Sequence, residues 1–130
     1  MTYKMDLAAT VANPTSGIAT LQYAARATGA ARYQEYKLLV GASSSGAFAD
    51  AQIHLLAYQK AVTADNAAEK ALEKALLNTP TNVQALADIT MAAQDLIKQT
   101  AAIKQSAAQF DAFAKAADKL IGVLGFLAAL

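Results

Sequence analysis

One histidine, His54, stands in a helical pattern with Asp50 and Tyr58 at steps of four. That spacing puts the three side chains on one helix face. A carboxylate beside an imidazole can orient it as a base or as a metal ligand. One histidine makes only one ligand, and a zinc or di-iron site needs several. Neither Glu-x-x-His nor His-Glu-x-x-His occurs. A catalytic or metal centre at His54 would need carboxylates from other helices, such as Glu35 or Asp95. Otherwise His54 is a partly exposed helical residue with polar neighbours.

Asp65, Glu69 and Glu73 also lie four apart, as a weak cation site or an acid–base pair would require. Lys70 and Lys74 are interleaved with them, so a solvated, balanced face is the simpler expectation. Ser43, Ser44 and Ser45 sit in a loop bounded by Gly41 and Gly46, but no nucleophile-elbow pattern surrounds them. A phosphate cradle would be followed by lysine, and Ala47-Phe48 follows instead. No nucleophile, base and oxyanion donor come together, so the chain is expected to be non-enzymatic and to need no cofactor.

Tyr23, Tyr33 and Tyr36 cluster near Arg26 and Arg32. Tyrosine and arginine are enriched where proteins meet, which makes these five a candidate interface. Tyrosines covering a bundle edge with their hydroxyls outward would give the same pattern.

The elements that must position these residues are helical. The chain has 130 residues, about a quarter of them alanine, with 16% charged and a net charge of +1. One domain is expected over 1–130. The basic residues are scattered, so nucleic acid is excluded as a partner. With no cysteine there is no disulfide and no thiolate chemistry. Lys4 and Asp6 interrupt the N-terminus, so no secretory signal is expected. No run is long and apolar enough to span a bilayer. A cytoplasmic location is the default, with leaderless export left open.

Leu86, Ile89, Ala93, Leu96, Thr100, Ile103, Ala107, Phe110, Ala114, Ala117, Ile121 and Leu124 recur in alternating steps of three and four. No Pro or Gly breaks this heptad stripe before Gly122, which predicts one long central helix. Charges such as Asp88, Asp95, Lys104, Asp111 and Lys115 stay off it. Ile97, Phe113 and Leu120 flank and widen it, as in a bundle rather than a bare coiled coil.

Residues 1–14 read as a loose lead-in ending at Asn13-Pro14. A first helix runs from near Ser16 to Val40, with a weak point at Gly29, where glycine costs about 1 kcal/mol relative to alanine. Gly41 to Gly46 is a loop, with Gly41 suited to end the first helix and Ser45 to cap the next. The second helix starts near Ala47 and carries Phe48, Ile53, Leu55 and Leu56. Its alanine seam repeats at seven: Ala57, Ala64, Ala71 and Ala61, Ala68, Ala75. The repeat keeps phase across Thr63–Asn66, so the helix is continuous there. Pro80 ends it, and Thr81 or Asn82 caps the third. The expected fold is an all-α, antiparallel up-and-down bundle of three long helices, or four to five if Gly29 or Thr63–Asn66 breaks one.

Residues 120–130 carry no charge and form the most apolar stretch. Leu120, Val123, Leu124, Phe126 and Leu127 could contact a membrane or another apolar surface. Equally, Ile121 and Leu124 continue the stripe in phase, as the last turns of a core would.

In composition the chain resembles bacterial phasins, which coat polymer granules, and small leaderless secreted helical proteins. It lacks the Trp-x-Gly turn of the secreted helical hairpins. The resemblance implies a bacterial origin and no particular functional residues. The functional expectation is a helical-bundle interaction protein that binds another protein or itself. A binder of membranes or other apolar surfaces through the C-terminal tail is the alternative.

Overall fold

The computed structural model describes residues 17–129, apart from the side chains of Gln105 and Ala107. The lead-in expected at 1–14 lies outside them, as does Ser16, near which the first helix is expected to start. The described residues form an all-α bundle of four helices. They are α1 (Gly17–Ser44), α2 (Phe48–Leu77), α3 (Val83–Gln105) and α4 (Phe110–Ala129). A single 3-10 turn, Ala107–Gln109, joins α3 to α4.

Neither expected weak point breaks a helix. Gly29 is buried inside α1, and α2 runs unbroken through Thr63–Asn66. The break falls instead in the long third helix, at Ser106. This residue takes an extended conformation, and its Oγ accepts the Ala108 N–H. Ser106-Ala107-Ala108-Gln109 has the spacing of a capping box, a start signal hidden inside an unbroken apolar stripe. The chain reverses there, so the stripe splits into two helices that cover each other.

Its first half stays in phase. Ile89, Ala93, Leu96 and Ile103 are buried. In α4 the buried line rotates to Phe113, Ala117, Leu120, Leu124 and Leu127, leaving Ala114 and Ile121 half-buried. The side chains expected to flank the stripe thus become its centre. Larger residues win because α4 faces the alanine surface of α2.

Gly41 lies within α1 rather than at its end, and Gly46 makes the turn, with φ +81°. The Ala47 N–H reaches the Ala42 carbonyl and the Gly46 N–H reaches that of Ser43, so Gly46 closes the helix as a left-handed C-terminal cap. The Ser45 hydroxyl donates to the Ala42 carbonyl and does not cap α2. At the start of α3, Asn82 Oδ1 accepts the Ala85 N–H at 2.9 Å, the expected cap.

Around the bundle the helices lie in the order α1, α2, α4, α3. Sequence neighbours α1/α2 and α3/α4 are antiparallel hairpins. The other two contacts are parallel, because every connection is short and reverses the chain. Lys60 pairs with Asp118 at 2.9 Å, and Lys74 Nζ meets the Ala128 carbonyl, so α2 and α4 run in one direction. The α2–α3 connection therefore crosses the base of the bundle, where the Pro80 carbonyl lies 2.5 Å from where a Cβ on Gly17 would sit. Only glycine fits that approach.

All six seam alanines of α2 are buried, as are Ala24, Ala27 and Ala31 of α1. Small residues at every level bring two helices toward the near end of the usual ~8–10 Å separation. Phe48, Leu55 and Leu56, among the large apolar residues of α2, are exposed. The close alanine contact takes the place they would have filled.

Ile103 is fully buried at the top of α3. Ile103→Asp is expected to abolish the cooperative melt followed by circular dichroism, because it buries an unpaired charge. A variant that melts like the parent would mean the α3 core is misassigned.

Candidate functional site

Two polar contacts cross the alanine seam between α1 and α2. Glu35, three turns before the end of α1, meets His54 on α2. Nδ1 lies 3.0 Å from Oε1. Glu35 is fully buried and His54 is 7% exposed. About two turns lower, the Thr28 hydroxyl donates to Asp65 Oδ1 at 2.9 Å, and Arg32 Nη1 reaches Oδ2 at 3.3 Å. The alanines create both contacts, since only a close helix pair lets short polar side chains meet across it.

The two differ in how well they are satisfied. Both oxygens of Asp65 have partners. The Glu35 Oε2 is buried and has no hydrogen-bond partner among the described residues. Burial pushes the Glu35 carboxyl above the usual carboxylate range, and the hydrogen bond and charge of His54 oppose that only in part.

Of the carboxylates that could converge on His54, Glu35 does so and Asp95 does not. Asp95 is exposed on α3, where Gln99 donates to it. Asp50 is exposed, and Glu35 takes the place beside the imidazole that the spacing gave to it. Among the described residues no three or more His, Asp or Glu side chains gather as a metal site would require. Asp65 also leaves the solvated face expected for it, while Glu69 and Glu73 remain exposed. The Glu35–His54 pair can hold a proton between two helices.

The candidate interface divides. Tyr23 is 1% exposed and belongs to the core, where burial pushes its hydroxyl pKa up. Arg26 is half-buried. Arg32, Tyr33 and Tyr36 come together with Tyr58 of α2 around a shallow cleft. The Tyr36 and Tyr58 rings lie 5.9 Å apart at 53°, a tilted aromatic pair. Lys37 Nζ sits 5.3 Å from the Tyr33 ring centre, within cation–π range.

This cleft is the lower end of a larger exposed surface. Between Tyr36 and Asp50 no residue is buried, so the α1–α2 hairpin projects beyond the shorter α3 and α4. Ala27 faces α3, and Tyr36 is nine residues on, half a turn out of phase. The tyrosine side of the hairpin is thus its outer side, turned away from α3 and α4. Val40, four residues after Tyr36, and Leu55 and Phe48, three and ten residues before Tyr58, share that side by helical phase, and all three are exposed, with Phe48 at 70%. Sequence periodicity missed these three, because large apolar residues read as core when the real core is alanine.

The tail divides as well. Leu120, Leu124 and Leu127 are buried, Val123 is half-buried and Phe126 is exposed. No described helix is long and apolar enough to cross a membrane. No family model, curated protein or solved structure matches this chain.

Proposed function

We propose that this protein is a non-enzymatic helical interaction module that binds protein through the outer face of its α1–α2 hairpin. One observation carries the reading. Tyr33, Tyr36, Val40, Phe48 and Leu55 are all substantially exposed on one side of a hairpin that projects past the rest of the bundle. Contiguous apolar surface of this kind marks binding sites, and aromatic side chains are its usual anchors. The alternative, binding to a membrane through the tail, is less well supported. With three leucines committed to the core, the described part of the tail offers Phe126 and parts of Ile121 and Val123 to an apolar phase.

A photo-crosslinking amino acid at Phe48, and another at Glu69 on the polar lower part of the same hairpin, tests the proposal in native extract. Protein adducts at position 48 and none at 69 are expected. Absence of any protein adduct at 48 would refute binding by this face.

A further inference from the structure

The face described above has two unlike halves. Toward the bundle it is made of tyrosines, Tyr33, Tyr36 and Tyr58, with Arg32 and Lys37 beside them. Toward the hairpin tip it is hydrocarbon, with Val40 and Phe48, and Leu55 lies between the halves at the level of Tyr36, beside the Glu35–His54 contact. Resting on the reading that this face binds protein, we infer that its occupant is a second copy of the same chain, packed antiparallel about a two-fold axis.

Area supports a second copy. Large apolar and aromatic side chains bury roughly 150–250 Å² each when covered. Five of them at 42–70% exposure offer on the order of 500 Å² per copy. Two copies then hide about 1,000 Å² before any flanking polar residue is counted, the lower bound for a specific interface. A dimer held by this face alone is a weak one, in the micromolar range.

Shape and charge choose the antiparallel arrangement. A two-fold axis between Tyr36 and Leu55 lays the hydrocarbon tip of one copy over the tyrosine half of the other. Phe48 and Val40 then leave water on a surface of aromatic rings, and the tyrosine hydroxyls stay at the rim. A parallel arrangement would set Arg32 of both copies at one level, whereas the antiparallel one carries the two guanidinium groups to opposite sides of the axis, and Arg32 is already paired with Asp65. The product is also familiar in kind. Lower down, the α1–α2 hairpin is covered on its inner side by a second hairpin, α3–α4. The second copy would supply the same layer, two antiparallel helices, on the outer side.

Sedimentation velocity of the purified full chain, from about 1 µM to about 1 mM, tests the inference. The weight-average mass is expected to rise from one chain toward two. Tyr36→Arg combined with Phe48→Arg should keep the mass at one chain while leaving the helical circular dichroism spectrum unchanged and lowering the melt by only a few degrees, the cost of the lost Tyr36–Tyr58 ring contact. Leu77→Arg, on the exposed end of α2 at the base, should dimerise like the parent. The chain has no cysteine, so a single introduced one reports alone. Leu55→Cys, beside the axis, should give a disulfide-linked dimer under mild oxidation, and Leu77→Cys should not.

A chain that stays monomeric to the highest concentration overturns the inference. So does a dimer that survives the double arginine variant. The two readings remain separable. If the pure chain is monomeric while the crosslinker at Phe48 captures a different protein, the face binds protein and the second copy is wrong. If neither occurs, both fail.

Discussion

Replacing Leu120 and Leu124 together by alanine is expected to bring the domain to the edge of unfolding. Both side chains are fully buried in the line that α4 presents to the rest of the bundle. A buried Leu→Ala change costs about 2–5 kcal/mol, from lost transfer energy and the cavity left behind. The two sites are one turn apart and share neighbours, so their costs will not simply add. Even so, the combined loss is comparable to the roughly 5–15 kcal/mol that holds a typical domain together. Phe126→Ala, in the same apolar stretch but exposed, should change stability by less than about 0.5 kcal/mol. Urea and thermal melts of the three proteins give the comparison. The contrast decides what residues 120–130 do. If the double alanine variant melted like the parent, and Phe126→Ala abolished co-sedimentation of the parent with liposomes, the stretch would be an anchor.

The second large effect is asymmetric. His54→Ala is expected to cost about 3 kcal/mol near neutral pH, because it removes the one hydrogen-bond partner that this buried carboxylate has among the described residues. Glu35→Gln removes the charge and keeps the shape, and its effect should depend on pH. Burial raises the Glu35 carboxyl above its ordinary 4.5, so the folded protein takes up a proton that the unfolded chain does not hold. The contribution of Glu35 to stability is therefore fully present below that ordinary value. It is lost as pH rises through the folded pKa. Relative to the parent, Glu35→Gln should grow more stable as the pH climbs from about 4, and His54→Ala should grow less stable. Melts across that range measure both. A parent–Glu35→Gln difference that does not change with pH would mean that the Glu35 carboxyl is solvated.

How much of this could be read from the chain depends on whether the signal is local. The alanine seam of α2 was legible because one helix carries all of it, in phase over six residues. Asn82 was legible because a cap lies next to the helix that it starts. The Ser106 turn was masked. Apolar residues continue at steps of three and four on both sides of it, since each new helix must bury its own stripe. A 39-residue helix and a hairpin of two shorter ones thus share one pattern. Glu35 and His54 are nineteen residues apart on different helices, so their meeting depends on the turn at Gly46 and on the register of the seam. The sequence suggested Glu35 as a partner and could not choose it over Asp95. Tyr23 and Tyr36 differ only in helical phase, and phase becomes burial only once the covering helix is known. The same ambiguity hid the outer face, where Phe48 and Leu55 had the residue type of core and the position of surface.

The order of helices around the bundle also bears on how the chain reaches this structure. Each antiparallel contact joins sequence neighbours across a tight turn, at Gly46 or at Ser106. Loops this short close in well under a microsecond, and helices form on a similar scale. The parallel contacts, α1 with α3 and α2 with α4, bring together residues from opposite halves of the chain and carry most of the loop-closure entropy. The topology thus predicts two hairpins that each assemble early and one slower docking step between them. The five residues from Asn78 to Asn82 are the tether that keeps the two halves at high effective concentration for that step.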